Sequence, residues 1–249
     1  MSLLDVEDVT KAFGRLVAVG GVTLRVEPGE LRAIIGPNGA GKTTFFNLVS
    51  GFFPPSSGTI RFDGRDVGAL GPAARVRLGI ARTFQITEVF PELDVAENLR
   101  VAAESAAGLA FSLGRGAARR AGMDGEVDRL LATAGLADRR NRQVGELSHG
   151  DQRAVEIAMA LALKPKLLML DEPTAGMGDQ ETHDVARLIR RLHRDEGLTI
   201  VLIEHDMRVV FNLAQRIMVL AEGKTLAEGT PDEIAGNETV QAAYLGESA

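Results

Sequence analysis

The chain has 249 residues, 45% of them apolar and 25% charged, which suits one large globular domain or a core domain with an inserted subdomain. Its formal charge of −6 argues against a protein that holds nucleic acid by neutralising phosphates. With no cysteine, disulfides and thiolate metal sites are excluded.

The opening "MSLLDVEDVT" carries acids and no basic segment, so no signal peptide is expected. Val22, Leu24 and Val26 alternate with polar residues, and "EPGE" at 27–30 turns the chain into the apolar run "LRAII". Residues 1–30 and 58–66 are therefore expected to form a small antiparallel β unit beside the core. A helical subdomain is expected over 88–160, in which Val127, Leu130, Leu131 and Ala134 keep helical spacing. Within it 105–125 is rich in Gly and Ala, with Arg115, Arg119 and Arg120 clustered, and reads as an insertion. The runs "LLML" (167–170), "TIVLI" (199–203) and "RIMVL" (216–220) read as buried strands. Between the first two, Val185, Leu188, Ile189 and Leu192 mark an amphipathic helix that Gly197 is expected to end. Strands alternating with helices predict an α/β fold with a mainly parallel sheet covered on both faces. No internal repeat is evident. The longest apolar runs, such as "IAMALAL" at 157–163, fall far short of the ~20 residues a membrane span needs, so a soluble, cytoplasmic chain is expected.

"GPNGAGKT" at 36–43 fits the phosphate-loop pattern G-x-x-x-x-G-K-[ST], with the strand "LRAII" before it and the helical "TTFFNLVSG" after it. Glycines let backbone N–H groups converge on phosphate oxygens at the positive end of a helix. Gly36, Pro37, Asn38, Gly39, Ala40, Gly41, Lys42, Thr43 and Thr44 are the expected cradle. Lys42 would reach the β- and γ-phosphates and Thr43 would ligate Mg²⁺. Asp171, at the end of "LLMLD", is placed to hold the same ion through its water shell, and Glu172 beside it to polarise an attacking water.

The ordered set "GPNGAGKT", "LSHGDQR", "LLMLDEPT" and "IEHD" resembles the ATP-binding subunit of ABC transporters over essentially the whole chain. The resemblance implies a P-loop ATPase core, ATP and Mg²⁺ as ligands, and a head-to-tail dimer with a second ATPase subunit. It further implies two membrane permeases, an indirectly linked substrate-binding protein, no nucleic acid, and a place on the inner face of the cell membrane. Phe13 in "KAFG" looks like the aromatic that stacks on adenine, although by itself it reads as a core residue. Gln85 in "RTFQ" resembles the glutamine that senses Mg²⁺ and the attacking water and links to the permease. His205 in "IEHD" resembles the histidine that contacts the γ-phosphate. Two departures stand out. His149 and Asp151 occupy positions where the family commonly has glycine and glutamine, and "AGMG" at 175–178 leaves Gly178 where an aspartate is usual.

"LSHGDQR" at 147–153 sets a serine, a histidine and an aspartate close together, but adjacency in sequence does not make a hydrolase triad, whose members converge in space. Locally, Ser148-x-x-Asp151 reads as a capping box for the helix that follows. In the resemblance, Ser148 and the N–H groups near Gly150 grip the γ-phosphate bound by the opposite subunit. "RTFQ" followed by "VFPELDVAENL", "AGM" after "DEPT", and "AYLG" at 243–246 look like the ATPase of branched-chain amino-acid importers, with urea and short-chain amide importers as the close alternative. Phe90, Pro91 and Leu93 are expected either to receive a short permease helix or to pack inside the helical subdomain. A soluble ABC-type ATPase acting on DNA or the ribosome would call for a coiled coil, a zinc module or tandem cassettes, and the sequence carries none.

Overall fold

The computed structural model describes residues 2–83, 89–108 and 123–245. A six-stranded sheet runs in the order β10-β9-β3-β8-β7-β6. Its strands are β3 (Leu31–Ile35), β6 (Ile80–Arg82), β7 (Leu167–Asp171), β8 (Thr199–Ile203), β9 (Arg216–Ala221) and β10 (Lys224–Gly229). The first five are parallel; only β10 pairs antiparallel, with β9. A second, antiparallel sheet of order β2-β1-β4-β5 comprises β1 (Leu4–Phe13), β2 (Leu16–Val26), β4 (Ser57–Phe62) and β5 (Arg65–Asp66).

The central strands are apolar almost throughout because both of their faces are covered. Side chains alternate between two cores. Ala33, Leu168, Leu170, Leu202 and Val219 join one, while Ile34, Leu167, Met169, Ile203 and Leu220 join the other. The second core is closed by the antiparallel sheet and by α1 (Lys42–Ser50), through Phe45, Phe46, Leu48 and Val49. The first is closed by α3 (Val95–Ala106), α4 (Met123–Ala134), α5 (His149–Leu161) and α6 (Asp179–Arg194). Among these, Val127, Leu130, Leu131 and Ala134 are buried, as are Val185, Leu188, Ile189 and Leu192, so the helical spacing located the packed faces correctly. Helix α6 stops at Arg194, however, short of the expected Gly197. Leu198 N–H already bonds back to Leu192 O, and Gly197 (φ 65°) serves the turn into β8.

Behind α1 lies α2 (Pro72–Leu78), which carries the fully buried Arg75. Its guanidinium donates to the carbonyls of Leu48 and Val49 at 2.6 and 2.7 Å, the unpaired end of α1, where a cation is favoured. Burial pushes its pKa down to about 10. α7 (Met207–Leu213), α8 (Pro231–Ala235) and α9 (Glu238–Leu245) complete the described residues.

Candidate functional site

The loop between β3 and α1 is shaped by glycine where no side chain fits. A Cβ on Gly36 (φ 149°) would lie 2.0 Å from Leu220 O, and one on Gly41 (φ 95°) 2.4 Å from Ala18 O. No side chain caps the N-terminus of α1, and no acid occupies its first turn. Its first residues, Lys42, Thr43 and Thr44, line a cleft with the helix dipole behind them, an arrangement suited to an anion. Lys42 is buried, and its Nζ donates to the carbonyls of Gly36 and Pro37 at 2.6 and 2.8 Å, which holds the ammonium at the loop's centre.

Two acids converge from β7. Asp171 shares the strand face of Leu167 and Met169, toward α1, and its Oδ2 accepts from Arg82 Nη2 at 2.7 Å in a buried pair. Arg82 also donates to Asn47 Oδ1 and Ser50 Oγ of α1 at 2.7 and 2.9 Å. Glu172 sits at φ 47°, a left-handed conformation uncommon for a non-glycine residue, and its N–H is tied to Ile203 O at 3.0 Å. That bend turns its carboxylate out of the sheet, where Oε1 accepts from His205 Nε2 at 2.7 Å. Lys42, Thr43, Thr44, Glu172 and His205 thereby line one cleft of about 450 Å³ together with Asn38, Gly39, Ala40 and Gly41.

The signature stretch lies elsewhere. Ser148 and Gly150 line a separate cleft of about 290 Å³ between α5 and α6. Ser148 Oγ accepts from Asp151 N at 3.2 Å, but the expected capping box is only half made. The Asp151 carboxylate, one methylene shorter than the usual glutamate, is taken by Arg139 Nε at 2.6 Å instead of returning to the Ser148 N–H. Glu181 of α6 supplies an acceptor at the next turn position instead, for Gly150. Its two oxygens take the N–H groups of Gly150 (3.2 Å) and Gly178 (3.3 Å), which hold its carboxyl below the usual carboxylate range. Gly178 itself is the N-cap of α6, and the following Asp179 pairs with Arg208 at 3.2 Å.

Phe13 is neither core nor part of the phosphate cleft: it is 44% exposed and meets Phe53 edge-on at 5.4 Å between ring centres. Gln85 falls outside the described residues, as does most of 105–125. Phe90 and Pro91 are exposed and Leu93 half-buried, so these three do not pack as a unit inside the helices. Sequence reasoning missed Arg82 and Glu204, although both stood within quoted stretches, "RTFQ" and "IEHD". It also missed the Glu222–Gly223 turn, whose Gly223 N–H bonds Ala40 O at 3.1 Å and whose residues line the phosphate cleft.

Comparison with known proteins agrees with this geometry. Residues 19–175 match the "ABC transporter" family model, and residues 224–249 match "Branched-chain amino acid ATP-binding cassette transporter". A Pseudomonas aeruginosa protein described as the high-affinity branched-chain amino acid transport ATP-binding protein BraF is 41% identical, the alignment covering 99% of this chain and 98% of that one. Among solved structures, the ADP conformation of an ATP-binding cassette of an ABC transporter superposes with a TM-score of 0.85 at 29% identity, covering 99% of both chains. A dimeric post-hydrolysis state of another cassette, bound to ADP and Pi, gives 0.75 at 26% identity, covering 92% of this chain and 98% of that one.

Proposed function

We propose, since the chain belongs to the ABC transporter family, that it is the ATP-hydrolysing subunit of an importer for branched-chain or related amino acids. The observation that carries the reading is one cleft in which an uncapped helix N-terminus, a buried lysine and a directly bonded acid–imidazole pair meet.

In this reading the N–H groups of residues 39–44 and the Lys42 ammonium hold the β- and γ-phosphates. Glu172 takes a proton from the attacking water as its oxygen bonds to the γ-phosphorus and the bond to the β-phosphate oxygen breaks, leaving ADP and phosphate. His205 donates to Glu172 and is the group proposed to contact the γ-phosphate of bound nucleotide. Among the described residues, no group of three or more His, Cys, Asp or Glu gathers as a metal cage. One buried carboxylate and one hydroxyl, Asp171 and Thr43, fit Mg²⁺, which keeps its waters and takes phosphate oxygens for the rest. The ion would neutralise charge on the β- and γ-phosphates. Phe13, at the exposed end of β1, is the candidate adenine platform, and Gln85 the candidate link to the permease.

Ser148 and Gly150 line a different cleft from the chain's own phosphate cleft, which favours a role on the nucleotide of a second ATPase subunit in a head-to-tail dimer. No helix of the described residues is long and apolar enough to cross a membrane. Two permease subunits would form the path, with this chain on the inner face and a substrate-binding protein delivering cargo from outside. Co-purification with the permeases, followed by ATP-driven uptake of radiolabelled leucine into vesicles, tests the assignment. Uptake of urea or a short-chain amide in place of leucine would move the substrate to the neighbouring class, and failure to associate with any permease would overturn the transport reading.

A further inference from the structure

Glu204 directly precedes His205 and follows β8, on the strand face of Ile200 and Leu202. It is only 3% exposed, and no cation pairs with it among the described residues. A buried carboxylate without a counter-ion is costly unless its lone pairs are filled by donors. Four donors fill them here. Oε1 accepts from Thr174 N at 2.9 Å and Thr174 Oγ1 at 2.6 Å. Oε2 accepts from His205 N at 3.0 Å and, at longer range, Asp206 N at 3.4 Å.

The two oxygens thus grip two different loops. Thr174 stands two residues after Glu172, in the turn that leaves β7; His205 opens the turn that leaves β8. The side chains of Glu172 and His205 meet at 2.7 Å on the far side of the same two turns. Glu172 is held at φ 47° before a proline, a conformation the local sequence does not favour. Something in the surroundings must fix it, and besides the Glu172 N–H to Ile203 O bond the buried Glu204 carboxylate ties the two turns together.

We propose that Glu204 is a positioning residue that clamps the β7 and β8 turns together and so sets the Glu172–His205 pair for hydrolysis. The proposal rests on the reading of Glu172 as the base. A glutamine at 204 keeps the shape and one acceptor oxygen, but its NH₂ cannot accept, so whichever way the amide lies it faces a backbone N–H of Thr174 or His205 and the clamp loosens on that side.

The test is single-turnover ATP hydrolysis by the purified full chain as Glu204→Gln, Glu172→Gln and the double variant, with ATP titration and melting for each. Glu204→Gln should lower the hydrolysis rate about 10- to 100-fold, the scale of a reacting group displaced by about an ångström, with ATP affinity within about twofold. The double variant should be no slower than Glu172→Gln alone, since both act through one group. Additive losses, an unchanged rate in Glu204→Gln, or a loss of affinity or melting temperature that parallels the rate would each overturn the proposal. Should Glu204→Gln fold poorly, Thr174→Val removes only the 2.6 Å hydroxyl donor and should give a smaller rate loss in the same direction. Glu172→Gln alone decides the base reading. Independently of it, long-range ¹H–¹⁵N spectra of the chain should show the His205 ring signals moved by Glu204→Gln while those of His149, His183 and His193 stay in place. Unmoved His205 signals would sink the clamp even if Glu172 is the base.

Discussion

The two stretches proposed to meet phosphate, one in each cleft, are built in opposite ways. The loop at 36–44 is wedged between buried strands; its lysine and the neighbouring acid–imidazole pair are held by the chain's own atoms, and its helix N-terminus is left open. The signature end is on a surface cleft, and its freed N–H at Gly150 is already occupied by the Glu181 carboxylate. The first is assembled within one chain. The second has lent its donor to a carboxylate of the same chain, and in the proposed dimer an incoming phosphate would exchange one anion for another. That contrast suits the composite site proposed between two subunits.

The sharpest way to break the comparison is Glu172→Gln, which should slow turnover by ~10²-fold or more while ATP still binds, the scale of a positioned base. Single-turnover hydrolysis at near wild-type rate would show that the cleft's chemistry is not finished where the structure puts it. Lys42→Ala comes next. Loss of a charge-assisted partner of the phosphates, worth about 1.5–3 kcal/mol, should weaken ATP affinity roughly tenfold or more by titration calorimetry. Ser148→Arg probes the other half. Affinity of the isolated chain for ATP should stay within about twofold, because nothing in the phosphate cleft is touched. In a hydrolysis-dead background, light scattering should show the ATP-dependent dimer fall severalfold, and an undisturbed dimer would refute action in trans. The smallest effect is expected for Glu181→Gln. Glu181 is held below the usual carboxylate range by the Gly150 and Gly178 N–H groups, so its stabilising bond is complete above the normal carboxylate pKa and is lost as pH falls through the lowered one. The melting difference between wild type and Glu181→Gln should therefore be small near neutral pH and vanish in acid; a difference that grows on acidification would contradict the bond.

Much of this was legible before any coordinates. A strand, a glycine-rich turn and a lysine form a local pattern whose geometry is dictated by neighbours in sequence, and the apolar runs at 167–170 and 199–203 read as buried strands, as they are. What stayed hidden depends on contacts across long separations. Arg82 reads as a surface charge until β6 is laid beside β7 and brings it to Asp171, 89 residues away. Glu204 reads as a passenger beside a histidine until Thr174 is folded against it. Asp151 was misread for the converse reason: a local capping pattern lost to Arg139, whose position no local rule gives.

The two-sided burial of the central strands has a consequence for how such a chain can vary. In β7 the odd positions Leu167, Met169 and Asp171 face α1, and the even ones Leu168 and Leu170 face the helices. A single residue deleted within this strand would exchange the two sets and bring Glu172 to the register position of Asp171, and a single residue inserted would put Leu170 there instead. Lineages of this fold can therefore trade residues freely at 167–170 as long as they stay apolar. They can change the length of that strand only in steps of two, and the spacing between strand and acids is a more stringent inheritance than the identity of the residues that fill it.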